Sequence, residues 1–422
     1  MTGDAANVHC PTRAHAGTAP SQHKDKRLQQ PTATGSKPLR DKDLAEATGE
    51  GRSGTLYPRA PYSRDVPGRY FPQMDGLRTL AVLGVLIAHF WDYRLPTGHL
   101  GVRLFFVISG FLITGILLQE RLGGEATTRR GLIKAFYIRR ALRIFPAYYA
   151  MLFLALVLGV EGVRETLFWH LTYTSNLFYA MQADWEPWTT VHLWTLSVEE
   201  QFYLVWPAVL LFLPRRWLLP ALAATIVFAL AFRHAAGIIW PLGNHRDTLM
   251  PAMMDALALG GLLSAAPLLL GWGPVQRKRL ALVLAALSVV ALGLVLGPWG
   301  ERLPYAVADF LATIPMGCAV LAARNGLPGL AGKALDNGVT RYLGKISYGI
   351  YLWHLFALAV LYKLVPGFAD APLGPVKFVI GSAAAIGLAA LSWRYLEQPL
   401  NALKWQFPYS GARPAERLPV SR

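Results

Sequence analysis

Long apolar blocks dominate the pattern of hydrophobic and polar positions along this chain. They recur between residues 74 and 395 and are separated by shorter polar segments. About 20 residues of helix cross the hydrocarbon core of a bilayer. The pattern therefore predicts an all-α, polytopic integral membrane protein with about ten transmembrane helices, at 74–93, 100–118, 144–160, 191–213, 217–236, 248–270, 280–297, 304–322, 344–364 and 376–395.

The segments on either side of this membrane region are polar. Residues 1–70 are rich in Pro, Gly, Ser, Thr and charge and contain no apolar stretch of a signal peptide, so we expect a disordered tail. Residues 71–400 form the predicted membrane domain, and residues 401–422 a short cytoplasmic tail with no room for a further domain. The segment 166–183 is aromatic but too polar for a span, and we expect it at the membrane interface or lining a cavity.

Composition agrees with a membrane protein, and charge predicts its orientation. The chain is 54% hydrophobic and 16% charged, with a net charge of +16. The basic residues lie mostly in short loops, which argues against a nucleic-acid patch. The loops at 119–143, 214–216, 271–279 and 323–345 carry far more Lys and Arg than the alternate loops, which contribute Arg94, Arg164, Arg233, Arg246, Arg302 and Lys363. The richer loops and both termini are therefore predicted to be cytoplasmic.

Neither a disulfide nor a metal site is predicted. The two cysteines, Cys10 and Cys318, lie in the polar tail and in a predicted span, respectively. We find no zinc-ligand spacing, no nucleotide-binding loop and no serine-nucleophile motif.

The first span places Arg78 and His89 on one helix face. A helix turns by about 100° per residue, so two side chains that are eleven residues apart point in directions that differ by roughly 20°. Along the helix axis they lie about 16 Å apart. Arg78 could merely snorkel to lipid headgroups, and His89 could be an interfacial histidine. Ionisable groups within spans usually face a cavity, however, and we favour a functional pair.

The fourth span contains two carboxylates within an apolar stretch. Glu199 and Glu200 lie several residues inside it, and His192 precedes Glu199 by seven residues on a similar face. A charged side chain costs about 2.5–3.5 kcal/mol at the centre of a span, so each carboxylate must pair, protonate or face water. A structural role and a chemical role stay open for both.

A basic cluster, Arg139, Arg140 and Arg143, precedes the third span. Arg140 and Arg143 are neighbours on a helix because they are three residues apart. Guanidinium forks match phosphate oxygens, although orientation charge or contact with anionic lipid is the simpler interpretation. Asp255, Asp309 and His354 are further ionisable groups within spans, and we assign them no role. Small residues in the second span indicate close helix packing at Gly101, Ser109, Gly110 and Gly115.

Six motifs, in this order, resemble acyltransferase family 3 of bacterial membrane proteins. They are MDGLRTLAVLGVLIAHF, GVRLFFVISGFLITGILL, RRALRIFPAYY, HLWTLSVEEQFYLVWP, SYGIYLWH and SWRYLEQPL. The resemblance covers about residues 71–400. It implies a ten-span enzyme of the inner (plasma) membrane that moves an acyl group, often acetyl, from cytoplasmic acyl-CoA to a hydroxyl of a glycan or similar acceptor. The form expected here lacks the fused SGNH domain of some relatives.

The resemblance also implies site residues. The family's Arg-ten-residues-His motif maps onto Arg78 and His89, and its Arg-x-x-Arg motif onto Arg140 and Arg143. Its acidic fourth-span motif maps onto Glu199 and Glu200.

The resulting hypothesis is a single transfer step. Arg140 and Arg143, with Arg139 beside them, would hold the CoA phosphates, and His89 would act as general base. Glu199 or Glu200 would orient the imidazole, and a covalent acyl-histidine stays open as a variant. The alternatives are a solute transporter that uses intramembrane charges, an unrelated histidine-dependent membrane acyltransferase, and a scaffold.

The predicted orientation can be tested with reporter fusions. Fusions at residues 130, 275 and 335 should report the cytoplasm, and fusions at 95, 170, 240, 300 and 370 the opposite side. An extracytoplasmic signal from residue 130 would contradict both the orientation and a cytoplasmic donor site at Arg140 and Arg143.

Overall fold

The structure, a computed structural model, describes residues 70–123, 128–182, 184–239 and 245–409. Within these ranges every regular element is helical, which confirms the all-α prediction. In chain order the α-helices are α1 (Pro72–Phe90), α2 (Thr97–Leu122), α3 (Arg129–Val157), α4 (Leu167–Leu171), α5 (Ser175–Met181), α6 (Leu193–Phe212), α7 (Arg215–Ile239), α8 (Met250–Leu269), α9 (Pro274–Leu296), α10 (Tyr305–Asn325), α11 (Gly329–Leu335), α12 (Gly338–Lys345), α13 (Ser347–Leu364), α14 (Pro375–Ser392) and α15 (Gln398–Ala402).

Each of the ten predicted spans falls on one of the long helices of the described ranges. Seven helices are long and apolar enough to cross a membrane, and α12 with α13, bent by 69°, makes an eighth candidate. Helices α1 and α6 are 19 and 20 residues long but less apolar, because they carry Arg78 and the two glutamates. The chain is thus a polytopic membrane protein, while the side on which its termini lie stays a prediction.

Several predicted loops are helical. The stretch 119–143 was expected to be a loop, yet α2 continues to Leu122 and α3 begins at Arg129, where the Thr128 hydroxyl caps the helix by accepting from the Gly131 amide. The stretch 323–345 contains α11 and α12. Both stretches are rich in basic residues and have few regularly spaced apolar positions. The apolar pattern therefore does not predict these helices.

The flanking segments lie largely outside the described residues. Of the predicted tail 1–70, only Tyr70 is described, and the predicted C-terminal tail is helical up to Gln406 and described up to residue 409. The aromatic segment 166–183 folds into α4 and α5, and its side chains His170 and Tyr179 are fully buried.

Helices α2 and α8 pack at the centre of the bundle. A β-carbon on Gly110 of α2 would overlap the Leu257 carbonyl, and one on Gly260 of α8 would overlap the Val107 carbonyl. Glycine at both positions therefore lets the two backbones touch, as the small residues of the second span predicted. By contrast, α9 exposes apolar side chains such as Leu282 and Val289, which suits contact with lipid.

Four buried charged side chains join the helices around this centre. Arg103 of α2 binds Asp255 of α8 at 2.6 Å and Asp309 of α10 at 2.7 Å, and Arg233 of α7 binds both carboxylates as well. We call these four residues the ion-pair cluster. His99 extends it, with Nε2 located 2.7 Å from Asp309. Two cations and two anions balance here, so none of the four faces the low-dielectric interior unpaired.

The ion-pair cluster corrects one sequence-based assignment. Arg233 was counted among the loop charges, but it lies inside α7 and is buried. Asp255 and Asp309, left without a role, are its partners. The correction removes one charge from the poorer loops and does not weaken the predicted orientation.

Removing one partner of the ion-pair cluster should destabilise the protein strongly. Asp255→Asn leaves Arg103 and Arg233 sharing Asp309 alone, and losing one partner of a buried pair costs about 3–5 kcal/mol. Thermal unfolding of the detergent-purified variant should therefore begin at a clearly lower temperature. Asp336→Asn is the matched control, because it removes an exposed partner of Arg341, and exposed pairs contribute about 0–1 kcal/mol. Equal melting temperatures for the two variants would contradict a structural role for the cluster.

Candidate active site

Two cavities lie at the two ends of helix α1. We call the first the Arg cavity, which has a volume of about 90 Å³ and is lined by residues that include Arg78, Arg140, Arg143 and Glu199. We call the second the His cavity, which has a volume of about 660 Å³ and is lined by residues that include His89, His99, His192 and His245. Arg78 and His89 thus face different cavities, as expected for side chains about 16 Å apart along one helix.

Two guanidinium groups of the Arg cavity make no ion pair among the described residues, although Glu199 lines the same cavity. Arg78 pairs with Asp75 at 3.0 Å, one turn earlier in α1. Arg140 lies 4.5 Å from the centre of the Tyr203 ring, and neither Arg140 nor Arg143 makes an ion pair within the described ranges. A half-buried cation that faces a cavity without a paired anion is suited to bind an anion from outside the chain.

The third arginine of the basic cluster points elsewhere. Arg139 donates to the carbonyl oxygens of Lys404 at 2.9 Å and Phe407 at 3.2 Å. Its guanidinium also lies 4.6 Å from the centre of the Tyr409 ring. Arg139 therefore holds the segment after α15 against α3 and does not line the Arg cavity.

The glutamates of α6 belong to the Arg cavity side of the structure. Glu199 accepts a hydrogen bond from the Ser109 hydroxyl at 2.7 Å, and the Tyr203 hydroxyl donates to the same serine at 3.1 Å. One carboxylate oxygen of Glu200, Oε1, is buried with no hydrogen-bond partner among the described residues. No hydrogen bond from either glutamate reaches His89 in this part of the chain.

A backbone carbonyl orients His89 instead. Its Nδ1 lies 2.9 Å from the carbonyl oxygen of Val85, one turn earlier in α1. A carbonyl can only accept, so Nδ1 carries the proton and Nε2 keeps its lone pair. In this structure the Val85 carbonyl contacts the imidazole, and Glu199 instead accepts from Ser109, so an orienting role of Glu199 or Glu200 stays a prediction.

Two further histidines continue a row of packed rings that begins at His89. The His354 ring centre lies 4.9 Å from that of His89 and 4.6 Å from that of His192. His354 Nδ1 donates to the Tyr351 carbonyl at 2.6 Å, and His192 Nε2 donates to the Leu352 carbonyl at 3.0 Å. Each of the three imidazoles thus donates one ring N–H to a backbone carbonyl oxygen, and in its neutral form each has a lone pair on the other nitrogen.

Among the described residues, three side chains line both cavities. Val102 of α2, Thr195 of α6 and Tyr351 of α13 belong to the Arg cavity and to the His cavity. We call these three residues the dividing wall. Sequence reasoning did not single them out, because they come from three distant segments, and the only signal was that all three lie within the motifs of the family resemblance.

The mouth of the His cavity is aromatic and carries charge. Trp185, Trp194, Tyr93 and Tyr305 line it together with Asp247. Burial raises the pKa of the Asp247 carboxyl, although nearby arginines oppose the shift. Among the described residues no group of three or more metal-ligating side chains has a geometry suited to a metal ion.

These features define a helical membrane protein with two cavities at opposite ends of one helix, divided by a thin wall. A family model described as an acyltransferase domain matches residues 71–394. The chain therefore belongs to this acyltransferase family, which confirms the resemblance carried by the six motifs.

Curated relatives agree with this assignment. The chain is 28% identical over 366 residues to the peptidoglycan O-acetyltransferase OatA of Listeria monocytogenes, covering 81% of this chain and 56% of that protein. It is 30% identical over 370 residues to the putative peptidoglycan O-acetyltransferase YrhL of Bacillus subtilis, with the same two coverages. A putative O-acetyltransferase of Staphylococcus aureus, SAR0937, is 27% identical over 387 residues, covering 81% and 60%. The chain thus spans little more than half the length of these relatives. No solved structure gives a significant match.

Proposed function

We propose that this protein is an O-acyltransferase of the inner (plasma) membrane that moves an acyl group, acetyl in the first instance, from cytoplasmic acyl-CoA to a hydroxyl of a glycan. The observation that carries the proposal is the pair of cavities with complementary chemistry. One offers unpaired guanidinium groups to an anionic donor, and the other offers a histidine lone pair to a hydroxyl. The three residues of the dividing wall line both cavities.

The donor would enter through the Arg cavity. Arg140 and Arg143 suit the phosphate groups of CoA, because guanidinium groups bind phosphate oxygens strongly. The pantetheine arm is roughly 15–20 Å long at ordinary bond lengths. That reach is comparable to the length of α1 between Arg78 and His89, so a thioester anchored at the arginines would arrive at the dividing wall.

The chemical step needs one base. Nε2 of His89 takes the proton of the acceptor hydroxyl, and the oxygen attacks the thioester carbonyl. The new C–O bond forms, the C–S bond breaks, and the imidazolium returns its proton to the departing CoA thiolate. The covalent variant, in which Nε2 itself receives the acyl group before the hydroxyl does, uses the same lone pair.

The acceptor would enter through the His cavity. The aromatic side chains at its mouth offer flat apolar surfaces against which sugar rings can pack, with polar groups between them. The curated relatives named as peptidoglycan O-acetyltransferases make peptidoglycan the first acceptor to test.

Loss of the two unpaired arginines should weaken donor binding. Replacing Arg140 and Arg143 with Ala should raise KM for acetyl-CoA by on the order of ten-fold or more, because each charge-assisted contact is worth about 1.5–3 kcal/mol. Lysines at both positions should rescue binding only in part, since an ammonium group cannot form the forked contact.

The matched control removes two exposed cations from the same helix. Arg130→Ala with Lys134→Ala lies outside both cavities and should leave KM for acetyl-CoA unchanged. An Arg140 and Arg143 double variant with a wild-type KM would contradict the donor site.

Replacing His89 should abolish transfer without unfolding the protein. Gln in its place keeps a hydrogen-bonding side chain but cannot take the proton, and loss of a general base typically costs about 10²- to 10⁴-fold in rate. We expect His89→Gln to fall in this range in a purified assay while binding acetyl-CoA normally. His234→Gln, which changes an exposed histidine of α7, should retain the wild-type rate. Turnover of His89→Gln within a few-fold of wild type would exclude His89 as the base.

A further inference from the structure

The dividing wall is the place where donor and acceptor must meet. A thioester held in the Arg cavity and a hydroxyl held in the His cavity are separated by one side chain each from α2, α6 and α13. If the proposed function is right, the acyl group has to lie between these three side chains at the moment of transfer. Their spacing then limits its size.

Two of the three side chains are fixed by hydrogen bonds. The Tyr351 hydroxyl lies 2.6 Å from Thr195 Oγ1 and 3.0 Å from the carbonyl oxygen of His192. Thr195 Oγ1 in turn lies 2.9 Å from the same carbonyl. Moving either residue would break these contacts in a buried setting, where an unsatisfied polar group is costly.

The rings around Tyr351 hold it further. Phe105 lies edge-on to Tyr351 at 6.1 Å, and the rings of His192 and His354 lie 5.6 Å from it, on other helices or turns. The Tyr351 side chain is hydrogen-bonded at its hydroxyl and packed along its ring, so its position is fixed. It cannot swing aside to admit a longer acyl chain.

Val102 closes the remaining side and has no polar anchor. It makes only van der Waals contacts and lies in α2, whose backbone is fixed by close packing on α8 and by Arg103 in the ion-pair cluster. The size of this one side chain, rather than helix movement, therefore determines the width of the gap.

We propose that Val102, together with the fixed pair Thr195 and Tyr351, forms an acyl-size filter that admits short acyl groups to His89 and excludes longer ones. The filter rests on the proposed function, and it adds that these three side chains limit the length of the acyl chain that the donor can carry. One methylene in such an apolar constriction is worth about 1–3 kcal/mol, or roughly 10- to 200-fold in discrimination.

The test compares acyl-CoA donors of two to six carbons on one purified preparation, with soluble peptidoglycan glycan strands as acceptor. Val102→Ala widens the gap, so transfer from butyryl-CoA relative to acetyl-CoA should rise by at least about ten-fold. Val102→Ile narrows it, and the ratio of propionyl to acetyl transfer should fall. Each ratio is measured within one protein, so partial misfolding changes both rates and leaves the ratio intact.

Val107→Ala is the matched control. It makes the same truncation at a buried valine of the same helix, but Val107, whose backbone carbonyl lies against Gly260 of α8, lines neither cavity. Its donor ratios should equal those of wild type. Wild-type transfer with unaltered ratios in both Val102 variants would overturn the filter and leave the proposed function standing. No transfer from any acyl-CoA by wild-type protein would overturn both.

Discussion

The ion-pair cluster is the constraint on which the rest of this structure depends. A charge in the apolar interior of a helical bundle is costly unless it is paired, and the four members of the cluster come from α2, α7, α8 and α10. Their pairing fixes α2 against three other helices. Because α2 also carries Val102 and Ser109, the cluster holds one wall of each cavity in place. His99, which contacts Asp309 and lines the His cavity, links the cluster to the acceptor side.

The contrast between paired and unpaired charges separates architecture from function. Asp255 and Asp309 are intramembrane carboxylates of the kind that ion-coupled transporters use, but here both are held by two arginines. That pairing removes the main feature that favoured a transporter. Arg140 and Arg143 are the opposite case, since their described surroundings supply no ion-pair partner. Two cations without an ion-pair partner among the described residues thus line the cavity that we propose for the donor.

The fold could be predicted from the sequence more completely than the contacts within the candidate site. Apolar block length was enough to locate ten helices, because crossing a bilayer imposes a length that periodicity and composition both report. Arg78, His89, Arg140 and Arg143 were found because ionisable residues stand out within or beside apolar stretches. The residues that join these groups were not found. That Arg233 pairs with Asp309, that Arg139 binds the Lys404 carbonyl, and that Val102 and Tyr351 line the same two cavities all depend on how distant segments pack, which no local pattern records.

The central claim is that donor and acceptor approach the dividing wall from opposite faces of the membrane. Protein reconstituted in sealed vesicles tests this directly, because acetyl-CoA and soluble glycan strands do not cross a bilayer. In the first arrangement, labelled acetyl-CoA is present only in the lumen and glycan strands only outside. Protein molecules whose Arg cavity opens to the lumen should then produce labelled glycan outside the vesicles. With both substrates outside and an empty lumen, little product should form, whichever way the protein inserts. Equal rates in the two arrangements would mean that both substrates reach the site from one face, and would contradict the account.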